Sequence, residues 1–287
     1  MSAIPAARDL TSVLVVASSH KPEALPVATR IVSRMEALDV QVKSGSTQDG
    51  LGVQDAAQAE LVVSVGGDGT LLDVARRVAP AGTPVLGVNL GKLGFLAGFS
   101  YDEFNAYLEG ASPEGWRCND EIMLEVDVNG GDRRVALNDV AVSQGIMTRL
   151  VELDMWIGQE HAIAYRADGL VVSTPVGSTA YSLSLGGPIL GRGLQALVVT
   201  PMAPHSLTNR PIVVDAAEEI EFEVRGQVGE LALLIDGQER IDLHAHDRIA
   251  IRRSPHQVTL VSSGRLGPYG VLREKLGWGL GPALTEY

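Results

Sequence analysis

The spacing of apolar positions changes rhythm once along this chain. In the first hundred or so residues, short aliphatic runs alternate with stretches of helical period. Ser12–Ala17 reads as a buried strand, residues 22–38 as a helix, and residues 40–42 as a second strand. Residues 44–57 are polar and Gly-bearing, which predicts a loop with short helical pieces. Residues 61–65 form the next strand, followed by a helix carrying Leu71, Leu72, Ala75 and Val78 on one face. Residues 84–89 are another buried strand. Strands alternating with helices call for a parallel sheet covered on both faces. Beyond residues 110–116 short alternating segments take over. Residues 122–128, the turn 129–132 and residues 134–137 carry a hairpin signal. Further strands are expected at 150–157, 169–173, 197–200, 219–224, 231–235, 248–251 and 258–262, with little helical pattern between them. The expectation is a Rossmann-like α/β N-terminal domain over 1–116, an all-β sandwich C-terminal domain over 117–264, and a tail, 265–287, packing back on the first domain.

Composition narrows the partners. A net charge of −12 over 287 residues argues against a general nucleic-acid binder, which needs clustered Lys and Arg. It leaves room for a small phosphorylated ligand held by a few local cations. The single cysteine, Cys118, rules out an intramolecular disulfide and fits a reducing compartment. Residues 1–10 lack a charged and then apolar leader, and no apolar run is long enough to span a bilayer. A cytoplasmic protein without a membrane partner is expected.

The chemistry concentrates where the 61–65 strand runs into Gly66-Gly67-Asp68-Gly69-Thr70 and then a helix. Glycine admits a ligand where a Cβ would collide, and amides at a helix start favour phosphate. A carboxylate beside phosphate is repelled unless it accepts a proton from an attacking hydroxyl or reaches the phosphate through Mg²⁺. On spacing alone, a plain turn with Asp68 capping the helix stays equally open. The segment fits neither G-x-G-x-x-G nor the P-loop pattern. Residues 89–96 follow another strand end and are placed along the same crevice, or else serve as a Gly-rich connection with Phe95 in the core.

In the second half, residues 168–184 are dense in Ser, Thr and Gly, offering hydroxyls and amides to phosphates or base edges, with Tyr181 able to stack on a ring. Asn138-Asp139, read as the close of a strand, suits a nucleoside, the amide on the base and the carboxylate on a ribose diol. Asp236-Gly237-Gln238 is most simply a hairpin turn, and His205 a structural histidine. No Cys/His spacing suits zinc, no G-x-S-x-G elbow occurs, and no residue is singled out as a metal ligand.

Taken together, Gly66–Thr70, residues 89–96, Leu137-Asn138-Asp139, the long segment ending in Tyr181, Gly186-Gly187-Pro188, residues 204–207 and Lys275-Leu276-Gly277-Trp278 occur in the order seen in bacterial NAD kinases, which the chain resembles from about residue 13 to 278. Lipid kinases of the diacylglycerol type share the Gly-Gly-Asp-Gly-Thr loop, but not the hydroxyl-rich segment placed after Asn138-Asp139. Val176 stands where threonine is frequent and Asp139 where glutamate is frequent. The resemblance implies transfer of a phosphoryl group from ATP, or from inorganic polyphosphate, to the adenosine-ribose 2′-hydroxyl of NAD, with Mg²⁺ or another divalent cation as cofactor. It implies that Asp68 takes the hydroxyl proton and that Gly66, Gly67, Gly69 and Thr70 hold donor phosphates. Asn138 and Asp139 would hold the dinucleotide. Asp168 with Ala180 would face the nicotinamide carboxamide, and Thr179 and Tyr181 the adenosine part, with Ser182, Leu183 and Ser184 in the same run. Arg149, Arg166 and Gln238 complete the implied contacts. A homodimer or homotetramer whose subunits complete one another's sites is also implied.

Overall fold

A computed structural model describes residues 7–91, 94–110, 116–144, 150–206, 208–226 and 229–277. The chain divides into two compact units, residues 1–120 with 258–287, and residues 121–257. In the first unit, strands β1 (Ser12–Ala17), β2 (Gln41–Ser46), β3 (Leu61–Gly66) and β4 (Val85–Asn89) form a parallel sheet in the order β2-β1-β3-β4. β1 and β3 are almost wholly buried, which is why they read as continuous apolar runs. Helix α1 (Ala24–Glu36) buries Ala24, Ala28, Ile31 and Met35, one face at helical spacing. The short α2 (Val53–Ala56) and then α3 (Asp68–Val78) follow, the latter burying Leu71, Leu72, Val74, Ala75 and Val78.

Helix α4 (Tyr101–Leu108) was not read from periodicity. Its signal is a capping box: Glu103 N–H donates to Ser100 Oγ at 3.1 Å, and Ser100 N–H to Glu103 Oε2 at 2.8 Å. It supplies Phe104 and Tyr107 to the core, where Tyr107 and Phe99 pack on Trp116. Cys118 is half-buried against the same core.

The second unit is a two-sheet sandwich. β5 (Arg117–Val128) leads into it and pairs with β6 (Arg134–Ala136) as the expected hairpin. Then come β7 (Asp139–Gln144), β8 (Val151–Ile157), β9 (Glu160–Ala167), β10 (Gly169–Ser173), the short helix α5 (Tyr181–Ser184), β11 (Ala196–Met202), β12 (Ile212–Asp215), β13 (Ile220–Arg225), β14 (Leu231–Ile235) and β15 (Glu239–Leu243). One sheet runs β12-β11-β10-β7-β14-β15, while β13-β8-β9 belong to the other. Inward residues of both, among them Val140, Val142, Leu153, Leu170, Phe222 and Leu233, share one core. The last strand, β16 (Arg248–Ser262), pairs with β13 over its first residues. Its Leu260 and Val261 pair in parallel with β4 of the first unit, before helix α6 (Pro268–Leu276).

The central strand β7, whose apolar stretch is only 140–142 between Asp139 and Ser143, was missing from the sequence reading, as were β9, β12 and β15, which are edges of their sheets. The burial of these edges is partial, so their sequences lack the apolar run of a central strand. Pro255 and the polar residues around it split β16 into two in the sequence, yet it is one strand. Asn138-Asp139 does not close a strand: Asp139 opens β7. Among the described residues no helix is long and apolar enough to cross a membrane. Leu14 lies fully buried in β1, so Leu14→Ala should cost about 2–5 kcal/mol. The check is the melting transition of the first unit, which should fall by several degrees.

Candidate active site

The first unit carries a cleft of about 570 Å³ at the carboxyl ends of its strands, lined by Lys21, Glu23, Gly67, Asp68, Asn89, Gly94 and Lys275, with other residues of the same loops. Asp68 is the first residue of α3, and the cap position before it is Gly67, which supplies no side-chain cap. The carboxylate of Asp68 turns instead to the loop after β4. It accepts N–H bonds from Phe95 at 2.8 Å, Leu96 at 3.1 Å and Ala97 at 2.8 Å. A Cβ on Gly94 would collide with this carboxylate, so that position requires glycine. The residue 89–96 run therefore lines the crevice. Phe95 is half-buried rather than a core residue, and Lys92 and Leu93 lie outside the described residues. Asp68 does not cap its own helix, because three amides of another loop claim it.

Two cations of the cleft were not singled out by the sequence. Lys21 Nζ stands over Gly67, 2.8 Å from where a Cβ would be, and Lys275 reaches the cleft from α6. Among the described residues, neither forms an ion pair. The signal for Lys21 was its place just beyond β1, on the ligand side of a parallel sheet. Lys275 stood within the motif Lys275-Leu276-Gly277 without a role.

In the second unit, β10, β7 and β14 lie side by side and bring Thr174, Asn138-Asp139 and Asp236 together at one end. Asp139 is buried. Its burial first, and the neighbouring Asp236 carboxylate second, push its pKa up to about 7, against a backbone hydrogen bond from Tyr181 that favours the anion. Asn138 Oδ1 and Ser173 Oγ are buried without a partner among the described residues, open positions for a ligand or water. The loop after β10 packs tightly here, since a Cβ on Gly177 would meet the Asn138 backbone.

The hydroxyls of that loop mostly serve the fold. Thr174 Oγ1 donates to Leu137 O, Ser178 Oγ to Pro175 O and Thr179 Oγ1 to Val176 O. Ser182 Oγ shares a proton with Thr200 Oγ1 at 2.8 Å and is fully buried. Thr179, Ala180 and Leu183 are half-exposed, and Tyr181 and Ser184 exposed. Tyr181 is thus not a core residue; its hydroxyl donates to Met202 Sδ at 3.7 Å. Val176 is buried. Gln238 is exposed in the turn after β14. Asp168 and Arg166 stand at the other end of β10, roughly 17 Å away at about 3.3 Å per residue. Arg166 is exposed and paired with Glu152 at 3.0 Å. Arg149 lies outside the described residues.

The raised Asp139 pKa fixes a stability signature. An unfolded Asp ionises near 4, so between about pH 4 and 7 the folded state holds the extra proton and this contribution to stability falls as pH rises. Asp139→Asn lacks that dependence. Its melting temperature relative to wild type should climb from pH 4 to pH 7.5, and a difference constant across this range would contradict the assignment.

The chain matches the ATP-NAD kinase N-terminal domain over residues 2–113 and the ATP-NAD kinase C-terminal domain over residues 137–263. It is 40% identical over 237 residues to the NAD kinase of Desulforamulus reducens, covering 81% of this chain and 82% of that one. It is 36% identical over 287 residues to the NAD kinase of Trichlorobacter lovleyi, covering 94% and 99%. Yeast NADH kinase complexed with NADH shares the fold, with TM-score 0.80 and 22% identity over 97% of this chain and 91% of that one. An Archaeoglobus fulgidus NAD kinase in complex with ATP does so at TM-score 0.72 and 24% identity, over 93% and 98%. With both domain models matched in order, and relatives this similar across most of its length, the chain belongs to the NAD kinase family.

Proposed function

We propose that the chain transfers the terminal phosphoryl group of ATP to the adenosine-ribose 2′-hydroxyl of NAD, and that Asp68 is the base. The observation that carries this reading is the Asp68 carboxylate, oriented by three amides in a cleft that also holds Lys21 and Lys275. A ribose hydroxyl is a weak nucleophile until its proton has an acceptor, and a positioned base contributes about 10²–10⁴-fold. The amides of 95–97 fix the direction of the carboxylate and leave a lone pair for that proton. The backbone of Gly66, Gly67, Gly69 and Thr70 cradles the donor phosphates, and the two lysines offset their charge. The relatives solved with ATP and with NADH support both classes of small molecule.

A divalent cation, Mg²⁺ in the first instance, fits the donor set. Such ions usually keep waters and bind one or two carboxylates plus substrate phosphates; in this cleft Glu23 would hold the cation beside the donor phosphates, Asp68 being given to the hydroxyl proton. When bound it supplies neutralisation of the donor charge.

On the second unit, Asn138 and Asp139 hold the dinucleotide, the carboxylate on ribose hydroxyls and the open Asn138 Oδ1 on a donor of the ligand. Thr179, Ala180, Tyr181, Leu183 and Ser184 line the adenosine side and the carboxamide, with Ser182 anchoring the run from beneath through Thr200. Asp168, Arg166, Arg149 and Gln238 are further contacts. The placement of Asp168 and Asn138 at opposite ends of β10 suits an extended ligand, or a site completed by a second copy in a homodimer or homotetramer. A cytoplasmic location completes the reading.

Asp68→Asn should keep NAD affinity within about tenfold and lose at least ~10²-fold in turnover. Wild-type-like turnover would remove Asp68 from the mechanism. Gly94→Ala keeps the carboxylate but displaces it from its amides. Turnover should drop about tenfold or more, the scale on which small misplacements act.

A further inference from the structure

We infer that Asp236 is the positioning residue of the dinucleotide site, its carboxylate holding Asn138 and Asp139 in place. This rests on the reading that these two residues bind NAD. Asp236 and Gly237 form a tight turn, with φ of 49° and 64° and the Gln238 N–H bonded to Ile235 O at 2.9 Å. Two successive positive φ values are the mark of the type I′ hairpin turn. The turn alone explains a small polar residue at 236, since Asn, Asp and Gly all tolerate the left-handed region there. It does not explain what the side chain does. Asp236 Oδ2 accepts from Leu137 N–H at 2.9 Å, and Oδ1 from Asn138 N–H at 2.8 Å and Asp139 N–H at 3.0 Å.

The other side of the same three residues is held as well. Asp236 N–H donates to Asp139 O at 2.9 Å, Thr174 N–H to Asn138 O at 2.9 Å, and Thr174 Oγ1 to Leu137 O at 2.6 Å. Every backbone amide and carbonyl of residues 137–139 thus has a partner from β14's end or β10's end. A single charged acceptor serves all three amides, a role a neutral side chain cannot fill. Asparagine offers one acceptor oxygen and turns an NH₂ donor toward donors.

Asp236 also sets the charge environment of Asp139. From β14 the Asp236 carboxylate faces Asp139; from β10 the residue opposite is the uncharged Ser173, and from α5 comes the Tyr181 amide. A scaffold residue would move affinity alone, whereas Asp236 moves affinity and titration together.

The test is Asp236→Asn, which keeps a residue that type I′ turns favour. NAD binding by calorimetry should weaken about tenfold or more, the scale of lost charge-assisted hydrogen bonds, while the KM for ATP stays within about twofold. The acid limb of NAD binding should shift to lower pH, and Asp139→Asn should abolish that limb. NAD affinity within twofold of wild type with an unmoved limb would overturn the proposal. Should the variant not fold, hydrogen exchange on the wild-type protein decides: amides 137–139 must be strongly protected, and rapid exchange there refutes the clamp. Wild-type protein that binds no NAD would instead sink the dinucleotide reading, leaving the clamp to be judged by exchange.

Discussion

The structure depends on one arrangement, a carboxylate on a helix start held by three backbone amides of the next loop. Asp68 could have been repelled from any anion approaching the cleft or drawn into capping α3. The amides of Phe95, Leu96 and Ala97 prevent both by fixing the carboxylate on the side of β4. That in turn needs Gly94 without a Cβ, and it needs the parallel order of β1, β3 and β4, which delivers Lys21, Asp68 and the 94–97 loop to the same end of the sheet. Carboxylates that accept several amide N–H bonds are well oriented, and orientation is most of what a phosphoryl-transfer site supplies.

The second unit uses the same device for a different end. There the saturated carboxylate, Asp236, does not act on a ligand; it fixes the backbone from which Asn138 and Asp139 project. The buried Asp139 with its raised pKa, and Asn138 Oδ1 with no partner among the described residues, are costs to the folded protein.

Much of this was legible in the sequence where burial dictates residue type. β1, β3 and β4 announced themselves because central parallel strands are apolar on both faces, and the Gly-Gly-Asp-Gly-Thr turn because a helix must start where the strand stops. Edge strands β9, β12 and β15 were not, since half their residues meet water. At the site, Asp68 and Asn138-Asp139 stood out by chemistry, and the family resemblance gave them roles. The amides that orient Asp68 could not be seen, because a backbone N–H has no residue identity. Asp236 was hidden by a sufficient explanation, the turn, which accounts for its backbone and not its side chain. In the hydroxyl-rich segment, Thr174, Ser178 and Ser182 tie the loop down.

The most direct test of the account is to incubate purified protein with NAD, ATP and Mg²⁺ and to follow the mixture by ³¹P NMR. The account predicts loss of the ATP terminal phosphate signal in step with a new phosphomonoester resonance on the adenosine-ribose 2′ position of the dinucleotide. ATP consumption with only inorganic phosphate released, or no new phosphomonoester at all, would contradict it.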